Sequence, residues 1–382
     1  MQPFIVSARK YRPSRFEDVV GQEQVTVTLR KALATGQLAQ SFLFCGPRGV
    51  GKTTCARILA KAINCERPGA DFEPCNECNS CSSFNANASF NIHELDAASN
   101  NSVEDIRSLV DQVRFAPQAG KYKVYIIDEV HMLSNSAFNA FLKTLEEPPS
   151  YAIFILATTE KHKIIPTILS RCQIYDFRRI LNTDIVGNLK SIAQNEGINA
   201  EEQALHIIAQ KADGGMRDAL SLFDKIVSYA GKNLTYNDVI TNLNILDYDY
   251  FFKITDQLLV ENSAEVLVIY NDILARGFDG EIFILGLSEH FRQLLIAKEP
   301  SCMNLLEASE ELKQRYQEQA AKAHESFLLN ALNVANQCDI HYKTARNKRL
   351  HVELALLKIC FLNTQLENTL GLLSTEKKNV LV

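Results

Sequence analysis

Hydrophobic and polar positions alternate in short blocks over roughly the first half of the chain, and these blocks predict strands separated by helices. Apolar runs predict five strands, at residues 41–45, 91–96, 124–128, 153–158 and 173–177. Helical spacing of apolar residues predicts the intervening helices, at residues 53–64, 102–115, 136–147 and 166–170. Buried strands that alternate with helices indicate a parallel α/β sheet.

The pattern changes after Arg178, where no further strand is predicted. Residues 181–230 are predicted to be helical, with glycines interrupting the helices. Residues 247–363 carry amphipathic helices with few prolines or glycines inside them, which predicts a separate helical domain. Residues 364–382 have only a weak pattern and are predicted to form a tail.

Composition narrows the class of protein. The length of 382 residues favours two or three domains, and 46% hydrophobic with 22% charged residues excludes a wholly disordered or fibrous chain. The net charge of −5 gives no overall basic field, so any nucleic-acid site must be a local basic surface. No apolar run approaches the roughly 20 residues of a membrane span, and residues 1–16 lack the apolar core of a secretory signal. The expected location is therefore the cytoplasm.

A glycine-rich phosphate-binding loop is the strongest motif. The pattern GxxxxGK[ST] follows a predicted strand and opens a predicted helix, at Gly46, Pro47, Arg48, Gly49, Val50, Gly51, Lys52 and Thr53. Its backbone amides and the helix dipole suit phosphate oxygens, Lys52 suits the β- and γ-phosphates, and the Thr53 hydroxyl suits Mg²⁺. Thr54 joins the predicted nucleotide contacts. A chance glycine-rich turn is the alternative, but it leaves the flanking strand and helix unexplained.

Two carboxylates, Asp128 and Glu129, lie at the C-terminal end of the third predicted strand. Ligands of open α/β sheets bind at the carboxyl ends of the strands. Asp128 is predicted to hold Mg²⁺, directly or through water, and Glu129 to polarise the attacking water. An acidic strand end facing solvent is the alternative, and it fits poorly with a phosphate loop upstream. The two motifs together predict ATP hydrolysis.

Three further residues are candidates for the reaction. Thr159 ends the next predicted strand, where its hydroxyl is favoured over that of Thr158 to orient the water; the alternative is a threonine that merely suits a strand end. Arg171 is too far along the chain to serve its own nucleotide easily, which favours an arginine finger for a neighbouring subunit over a surface arginine. Arg217 lies near a helix start, where the macrodipole disfavours a cation, which favours a role at the γ-phosphate.

Four of the ten cysteines fall within seventeen residues, at Cys65, Cys75, Cys78 and Cys81. Four thiolates suffice for a tetrahedral structural Zn²⁺ and leave no open position for catalysis. An iron–sulfur cluster with the same ligands is the alternative. Four free thiols fit poorly in so polar a stretch. The remaining six are predicted to be small buried side chains, at Cys45, Cys55, Cys172, Cys302, Cys338 and Cys360.

The motifs together resemble one family. GPRGVGKT, IIDEVHML, ATT, SRC and GGMRDALS are similar to the AAA+ clamp-loader ATPases. ARKYRP and VVGQ resemble the segment on the adenine side of that family's site, which implies base contacts by Ala8, Tyr11, Arg12, Pro13, Val19 and Val20. The cysteine insert and the phrase ELDAAS narrow the resemblance to the gamma/tau subunits of bacterial DNA polymerase III, over about residues 4–365.

This resemblance implies a domain plan and a mechanism. The implied divisions are an AAA+ nucleotide domain at 1–180 with a zinc insert at 65–81, a helical lid at 181–243, an all-α collar at 244–365 and a tail at 366–382. ATP, Mg²⁺ and a structural Zn²⁺ are implied, with Arg171 acting in trans and Arg217 in cis. The implied partners are delta and delta-prime subunits, further copies of this chain, the beta sliding clamp and primed-template DNA. ATP binding would open the clamp, and primed DNA would trigger hydrolysis and clamp release.

Three alternatives remain open at this point. A related AAA+ branch-migration motor fits less well because of the cysteine insert and the second helical domain. A non-hydrolysing scaffold subunit would typically lack an intact phosphate loop. A nucleotide-switched signalling protein fits poorly with Arg171 in its SRC context. The chain ends soon after the helical domain, which resembles the shorter gamma form or a truncated chain.

The sequence offers few basic side chains for the expected contact with DNA. The helix that tracks DNA in related clamp loaders begins here near Asn100-Asn101-Ser102, without lysine or arginine. The helix N-terminus and Arg107, one turn further on, are the candidates for phosphate contacts.

Overall fold

The structure is a computed structural model that describes residues 5–69, 71–117, 120–243, 245–306, 308 and 310–364. Its contacts divide the chain into two compact units, with the boundary between Leu234 and Thr235. The predicted tail, residues 366–382, lies outside the described residues. The division of the chain at residues 180 and 243 stays a prediction, and the helix Tyr236–Leu243 belongs to the second unit.

The first unit contains the five predicted strands. They are β1 (Ser41–Cys45), β2 (Ile92–Asp96), β3 (Lys123–Asp128), β4 (Ala152–Thr158) and β5 (Gln173–Asp176). The strands pair in parallel in the order β2-β3-β4-β1-β5. The predicted parallel α/β sheet is therefore confirmed, and β1 and β3 both end at the same edge, where their loops meet.

The helices of the first unit surround this sheet and extend beyond it. They are α1 (Ser7–Lys10), α2 (Glu23–Thr35), α3 (Lys52–Asn64), α4 (Asn79–Asn85), α5 (Val103–Val113), α6 (Asn135–Glu146), α7 (Pro166–Leu169), α8 (Asn182–Glu196), α9 (Glu202–Lys211) and α10 (Met216–Ala230). Ser102 caps α5 in a reciprocal capping box with Asp105, because its hydroxyl accepts from the Asp105 amide at 3.1 Å.

Side chains that alternate along the strands build one core on each face of the sheet. Phe42 and Phe44 of β1 pack with residues of α2 and α3 on one face. Leu43 of β1 points to the other face, where it packs with residues of α5, α6 and α7. The sheet is thus a layer between helices, and its central strands are buried on both faces.

Strands do not cease after Arg178 as predicted. Asn199–Ala200 (β6) and Asn233–Leu234 (β7) form a short parallel pair beside α8, α9 and α10. The pair covers two residues on each side, which is too short to leave an alternating pattern in the sequence.

The second unit is helical throughout its described residues. Its helices are α11 (Tyr236–Leu243), α12 (Tyr248–Leu259), α13 (Ser263–Ala275), α14 (Gly280–Lys298), α15 (Glu310–Lys322), α16 (Glu325–Tyr342) and α17 (Lys348–Cys360). One hydrophobic core, which includes Phe283, Phe291 and Leu356, holds α12 to α17 together. No helix among the described residues has the length and apolar character needed to cross a membrane.

Four of the six scattered cysteines are buried, as predicted: Cys45, Cys55, Cys338 and Cys360. The prediction is wrong for Cys172 and Cys302, which are only partly buried. Cys172 lies in the connection between α7 and β5, and Cys302 lies in the 3-10 helix Pro300–Leu305 between α14 and α15. Apolar neighbours in the sequence therefore do not ensure burial.

Candidate nucleotide site and cysteine cluster

The phosphate loop joins β1 to α3 and depends on glycines at two of its turns. Gly46 has a φ of 151°, and a Cβ placed on it would lie 2.5 Å from the carbonyl oxygen of Phe177. Gly51 has a φ of 103° and is the residue before the first turn of α3. The loop can therefore pass against the end of β5 only because it lacks side chains there.

Lys52 and Thr53 begin α3 and face the loop. The Lys52 ammonium is almost fully buried and donates to the carbonyl oxygens of Gly46 and Pro47, at 2.8 and 2.7 Å. Burial lowers the pKa of Lys52, while the nearby carboxylates of Glu129 and Asp128 oppose that shift. A buried ammonium beside a glycine-rich loop suits an anionic group such as a phosphate chain.

Asp128, at the end of β3, lies against the start of α3. Its Oδ2 accepts a hydrogen bond from Thr53 Oγ1 at 2.6 Å, and its Oδ1 accepts one from the Glu129 amide at 2.9 Å. The Thr53 hydroxyl and the Asp128 carboxylate therefore form a pair of adjacent oxygen ligands, the type that Mg²⁺ prefers. The residues present fit the predicted Mg²⁺ site.

Glu129 has a left-handed backbone, with a φ of 47°, which directs its side chain across to β4. Its Oε2 accepts hydrogen bonds from the Thr159 hydroxyl at 2.9 Å and from the Thr159 amide at 3.2 Å. Thr158 is fully buried and bonds His131 instead. The structure thus brings together Glu129 and Thr159, the residue favoured over Thr158 from the sequence.

His131 is a site residue that the sequence analysis missed. Its Nδ1 lies 3.0 Å from Thr158 Oγ1 and 3.3 Å from Glu129 Oε2, and its side chain is only 6% exposed. It also faces Glu160, at 3.8 Å from Nε2. The available signal was its position two residues after Glu129, directly beyond the third predicted strand.

The helix α10 packs directly on the phosphate loop. The Arg217 amide donates to the Gly49 carbonyl oxygen at 3.3 Å. A Cβ on Gly215 would lie 3.2 Å from the Arg48 carbonyl oxygen and 2.9 Å from Asp218, so a glycine permits this approach. The first turn of α10 therefore brings Arg217 to the phosphate loop, where a γ-phosphate role was predicted.

Positive charge accumulates beside the loop. Desolvation lowers the pKa of Arg12, and the nearby charges of Arg57 and Arg217 lower it further, against the opposing carboxylates of Glu94 and Asp128. Arg57 is already paired with Glu94, and the charge of a bound phosphate would reduce the repulsion between Arg12 and Arg217.

A cavity of about 470 Å³ extends from the loop toward the N-terminal segment. Most of the predicted base contacts line it, together with part of the loop and α3: Tyr11, Arg12, Pro13, Val19, Val20, Val50, Gly51 and Thr54. Ala8 lies in α1 and is not among the described residues that line the cavity. The helices α8 and α10 and the residue Ile180, just before α8, add wall positions that the sequence analysis missed; the helical ones are Asn188, Ile192, Asn195, Met216 and Leu220. Their distance along the chain gave no signal of this proximity.

Arg171 follows α7 and lies at the surface. Its Nη2 forms an ion pair with Glu146 Oε1 at 2.8 Å, and its Nη1 donates to the Thr167 carbonyl oxygen at 2.8 Å. These contacts hold the arginine between α6 and α7 with its side chain about a third exposed. The role of Arg171 toward a neighbouring subunit stays a prediction.

The four clustered cysteines converge. The Sγ atoms of Cys65, Cys75, Cys78 and Cys81 all lie within 4.8 Å of one another. Zinc–sulfur bonds of about 2.3 Å in a tetrahedron place the sulfurs roughly 3.8 Å apart, so this cluster fits a Zn²⁺ ion. Desolvation raises the pKa of the Cys75 thiol, but hydrogen bonds from the amides of Glu77 and Cys78 and with the thiols of Cys65 and Cys78 together lower it to about 6, which favours the thiolate that a metal needs. Burial raises the pKa of the Cys65 and Cys81 thiols.

The predicted DNA-contacting helix is α5. The Ser102 hydroxyl already accepts from the Asp105 amide in its first turn, and Glu104 and Asp105 place negative charge there. This N-terminus therefore suits a phosphate poorly, whereas Arg107 is exposed and free of a described ion pair.

The sheet order, the phosphate loop after β1 and the helical lid packed on that loop place the first unit in the AAA+ class of P-loop proteins. Family models match the chain in three parts: "DNA polymerase III, delta subunit" at 21–180, "DNA polymerase III clamp loader subunit, ATPase lid domain" at 184–232, and "DNA polymerase III subunits gamma and tau domain III" at 234–372. The chain belongs to the gamma/tau family of DNA polymerase III clamp-loader subunits.

Curated relatives support this membership. The chain is 45% identical over 353 residues to DNA polymerase III subunit tau of Bacillus subtilis, covering 92% of this chain and 62% of that protein. It is 38% identical to the tau subunit of Escherichia coli, covering 92% of this chain and 55% of that protein. It is 34% identical to DNA polymerase III subunit gamma of Buchnera aphidicola, covering 94% of this chain and 98% of that protein. The chain thus spans little more than half of the two tau relatives.

Proposed function

We propose that this chain is an ATP-hydrolysing motor subunit of a clamp loader, which opens the sliding clamp and loads it onto primed DNA. Two neighbouring hydrogen bonds carry the proposal: Thr159 donates to Glu129, and Thr53 donates to Asp128. The two pairs therefore combine, at one edge of the sheet, a carboxylate that can polarise water and oxygen ligands for Mg²⁺. Family membership supplies the clamp-loading context.

In the proposed site, the backbone amides of the loop and the Lys52 ammonium bind the phosphates of ATP. The base and ribose occupy the cavity between the N-terminal segment and the lid helices α8 and α10. Thr53 and Asp128 would hold Mg²⁺, which when bound would supply positive charge beside the phosphates. Arg217 approaches the γ-phosphate from the lid of the same chain.

Glu129 orients and polarises a water molecule for attack on the γ-phosphorus. A bond forms between the water oxygen and phosphorus, the bond from phosphorus to the ADP oxygen breaks, and the water proton passes to Glu129 and then to solvent. Thr159 holds the Glu129 carboxylate in place through its hydroxyl and amide. His131 supports the same carboxylate from its other side.

Arg171 acts in the site of a neighbouring subunit in this proposal. Its guanidinium would stabilise negative charge on the transferring phosphoryl group, so hydrolysis occurs only at assembled interfaces. The all-helical second unit forms the collar that assembles copies of this chain with delta and delta-prime subunits. The beta clamp and primed-template DNA are the proposed partners. The cysteine cluster would hold a structural Zn²⁺, and the proposed location of the protein is the cytoplasm.

Steady-state ATP hydrolysis tests the proposal. The chain is assembled with its delta-type partners and measured with and without sliding clamp and primed-template DNA. Strong stimulation by both together, abolished by Lys52→Ala, is the expected result. Hydrolysis that is indifferent to clamp and DNA would remove the clamp-loading role. Absence of any hydrolysis in the complete assembly would instead indicate a nucleotide-binding scaffold.

A further inference from the structure

The cysteine insert contacts the backbone of the segment that lines the nucleotide cavity. Glu73, two residues before Cys75, accepts a hydrogen bond from the Phe16 amide at 2.8 Å. Asn76, the residue after Cys75, extends its Nδ2 to the Ser14 carbonyl oxygen at 3.4 Å. Residues on both sides of Ser14 and Phe16 line the cavity. The loop that carries the cluster is thus bonded to the wall of the nucleotide site.

A buried ammonium reinforces this connection. Lys61 lies two turns along α3 from the phosphate loop and is only 5% exposed. Its Nζ donates to Asn76 Oδ1 at 2.5 Å and approaches the carbonyl oxygen of Ser14 at 3.4 Å and Asn85 Oδ1 at 3.5 Å. One side chain of the phosphate-loop helix therefore ties the insert and the N-terminal segment together. A buried cation is stable there only while these oxygens surround it.

We propose that the cysteine insert positions the base-side wall of the nucleotide site, with Glu73 and Asn76 as the positioning residues and Lys61 as their anchor. This inference rests on the proposed nucleotide-binding function. The four cysteines close the loop, the loop fixes Glu73 and Asn76, and these side chains fix the backbone at residues 14–16. Because this backbone is already ordered before ATP binds, binding of the base does not carry the entropic cost of ordering the wall.

Isothermal titration calorimetry of the full chain with Mg-ATP and with Mg-tripolyphosphate tests the inference. Tripolyphosphate contacts the phosphate loop but has no base to contact the wall. Glu73→Ala and Asn76→Gly are each expected to weaken ATP binding about tenfold and to leave tripolyphosphate binding unchanged. Glycine is chosen because Asn76 has a φ of 60°. Glu73→Gln keeps an acceptor for the Phe16 amide and is expected to restore ATP affinity.

Asp71→Ala is the matched control, because Asp71 is an exposed carboxylate of the same insert. The zinc content of each variant is measured alongside and is expected to stay equal to that of the unaltered chain. Equal weakening of ATP and tripolyphosphate binding, or unchanged ATP affinity in both variants, overturns the inference while the proposed function stands. An unaltered chain that fails to bind ATP refutes the proposed function and the inference with it.

Discussion

Thr159, directly after β4, donates hydrogen bonds from both its hydroxyl and its amide to one carboxylate oxygen of Glu129, which follows β3. Because β3 and β4 are neighbours in the sheet, this contact joins the two strand ends at the edge where ligands of such sheets bind. The hydroxyl is the part of the contact that a substitution can remove without disturbing the backbone.

Thr159→Ala is therefore expected to lower kcat for ATP hydrolysis by about tenfold to a hundredfold, because Glu129 loses one of the donors that orient it. KM is expected to change little, since the hydroxyl does not face the base or the phosphate loop. Thr159→Ser keeps the hydroxyl and should retain most of the activity. Steady-state measurement of kcat and KM for the unaltered chain and both variants tests this expectation. Equal decreases of kcat in the alanine and serine variants would contradict the orienting role of the hydroxyl.

Arg171→Ala is expected to lower ATP hydrolysis in the assembled complex by about 10³-fold while leaving ATP affinity unchanged. An arginine that acts across an interface predicts complementation between two inactive variants. Mixed assemblies of Lys52→Ala and Arg171→Ala chains should regain activity, because the first supplies the arginine and the second supplies the intact phosphate loop. Activity that stays absent in every mixture would place Arg171 in its own subunit's site or outside the reaction.

The cysteine cluster is expected to bind one zinc ion per chain and to lose it on Cys78→Ser. Thiolates that hold a metal only in the folded state add the binding free energy to stability, so this variant should unfold at a lower temperature. Cys302→Ser, outside the cluster, is the control and should retain both zinc and Tm. Elemental analysis and thermal unfolding measure the two effects. Iron in place of zinc would support the iron–sulfur alternative.

His290 gives the second unit a predictable response to acid. Desolvation lowers its pKa from 6.5 to about 4, against the opposing hydrogen bond with Gln319. In the unfolded chain, His290 therefore binds a proton below pH 6.5. In the folded chain, it binds that proton only near pH 4. The contribution of His290 to the free energy of unfolding is fully present above pH 6.5. It falls by roughly 3 kcal/mol as the pH drops from 6.5 to 4.

His290→Gln removes this titration, so the full chain carrying it should lose less stability than the unaltered chain between pH 7 and pH 4.5. Denaturant unfolding followed by circular dichroism measures the difference at each pH. Parallel curves for the two proteins would show that His290 does not govern the acid response.

Two glycine substitutions should act in opposite directions. Gly46→Ala is expected to cost about 2–4 kcal/mol and to abolish nucleotide binding, because its Cβ would lie 2.5 Å from the Phe177 carbonyl oxygen. Gly187→Ala, within α8 and with no atom within 4 Å of the added Cβ, is expected to stabilise the protein by about 0.5–1 kcal/mol. Thermal unfolding of the two variants compares them, and a stabilised Gly46→Ala would contradict the close approach of the loop to β5.

The sequence could predict every feature whose signal is local. The five strands and the phosphate loop could be predicted because burial on both faces and the need for glycines at tight turns leave marks on consecutive residues. The four cysteines could be predicted to meet because their spacing is short. The two-residue strands β6 and β7 could not, because they are too short to leave a pattern.

Only the tertiary structure decided which distant residues share a site. His131 reaches Thr158 across 27 residues of chain, and Glu73 reaches Phe16 across 57 residues. The lid helices bring Asn188 and Leu220 to the cavity, while Ala8 stays off its wall despite the family resemblance. Such contacts depend on how helices pack against the sheet, and packing is set by the sum of many weak apolar contacts rather than by any single residue. The sequence determined the chemistry at each position, and the fold decided which positions act together.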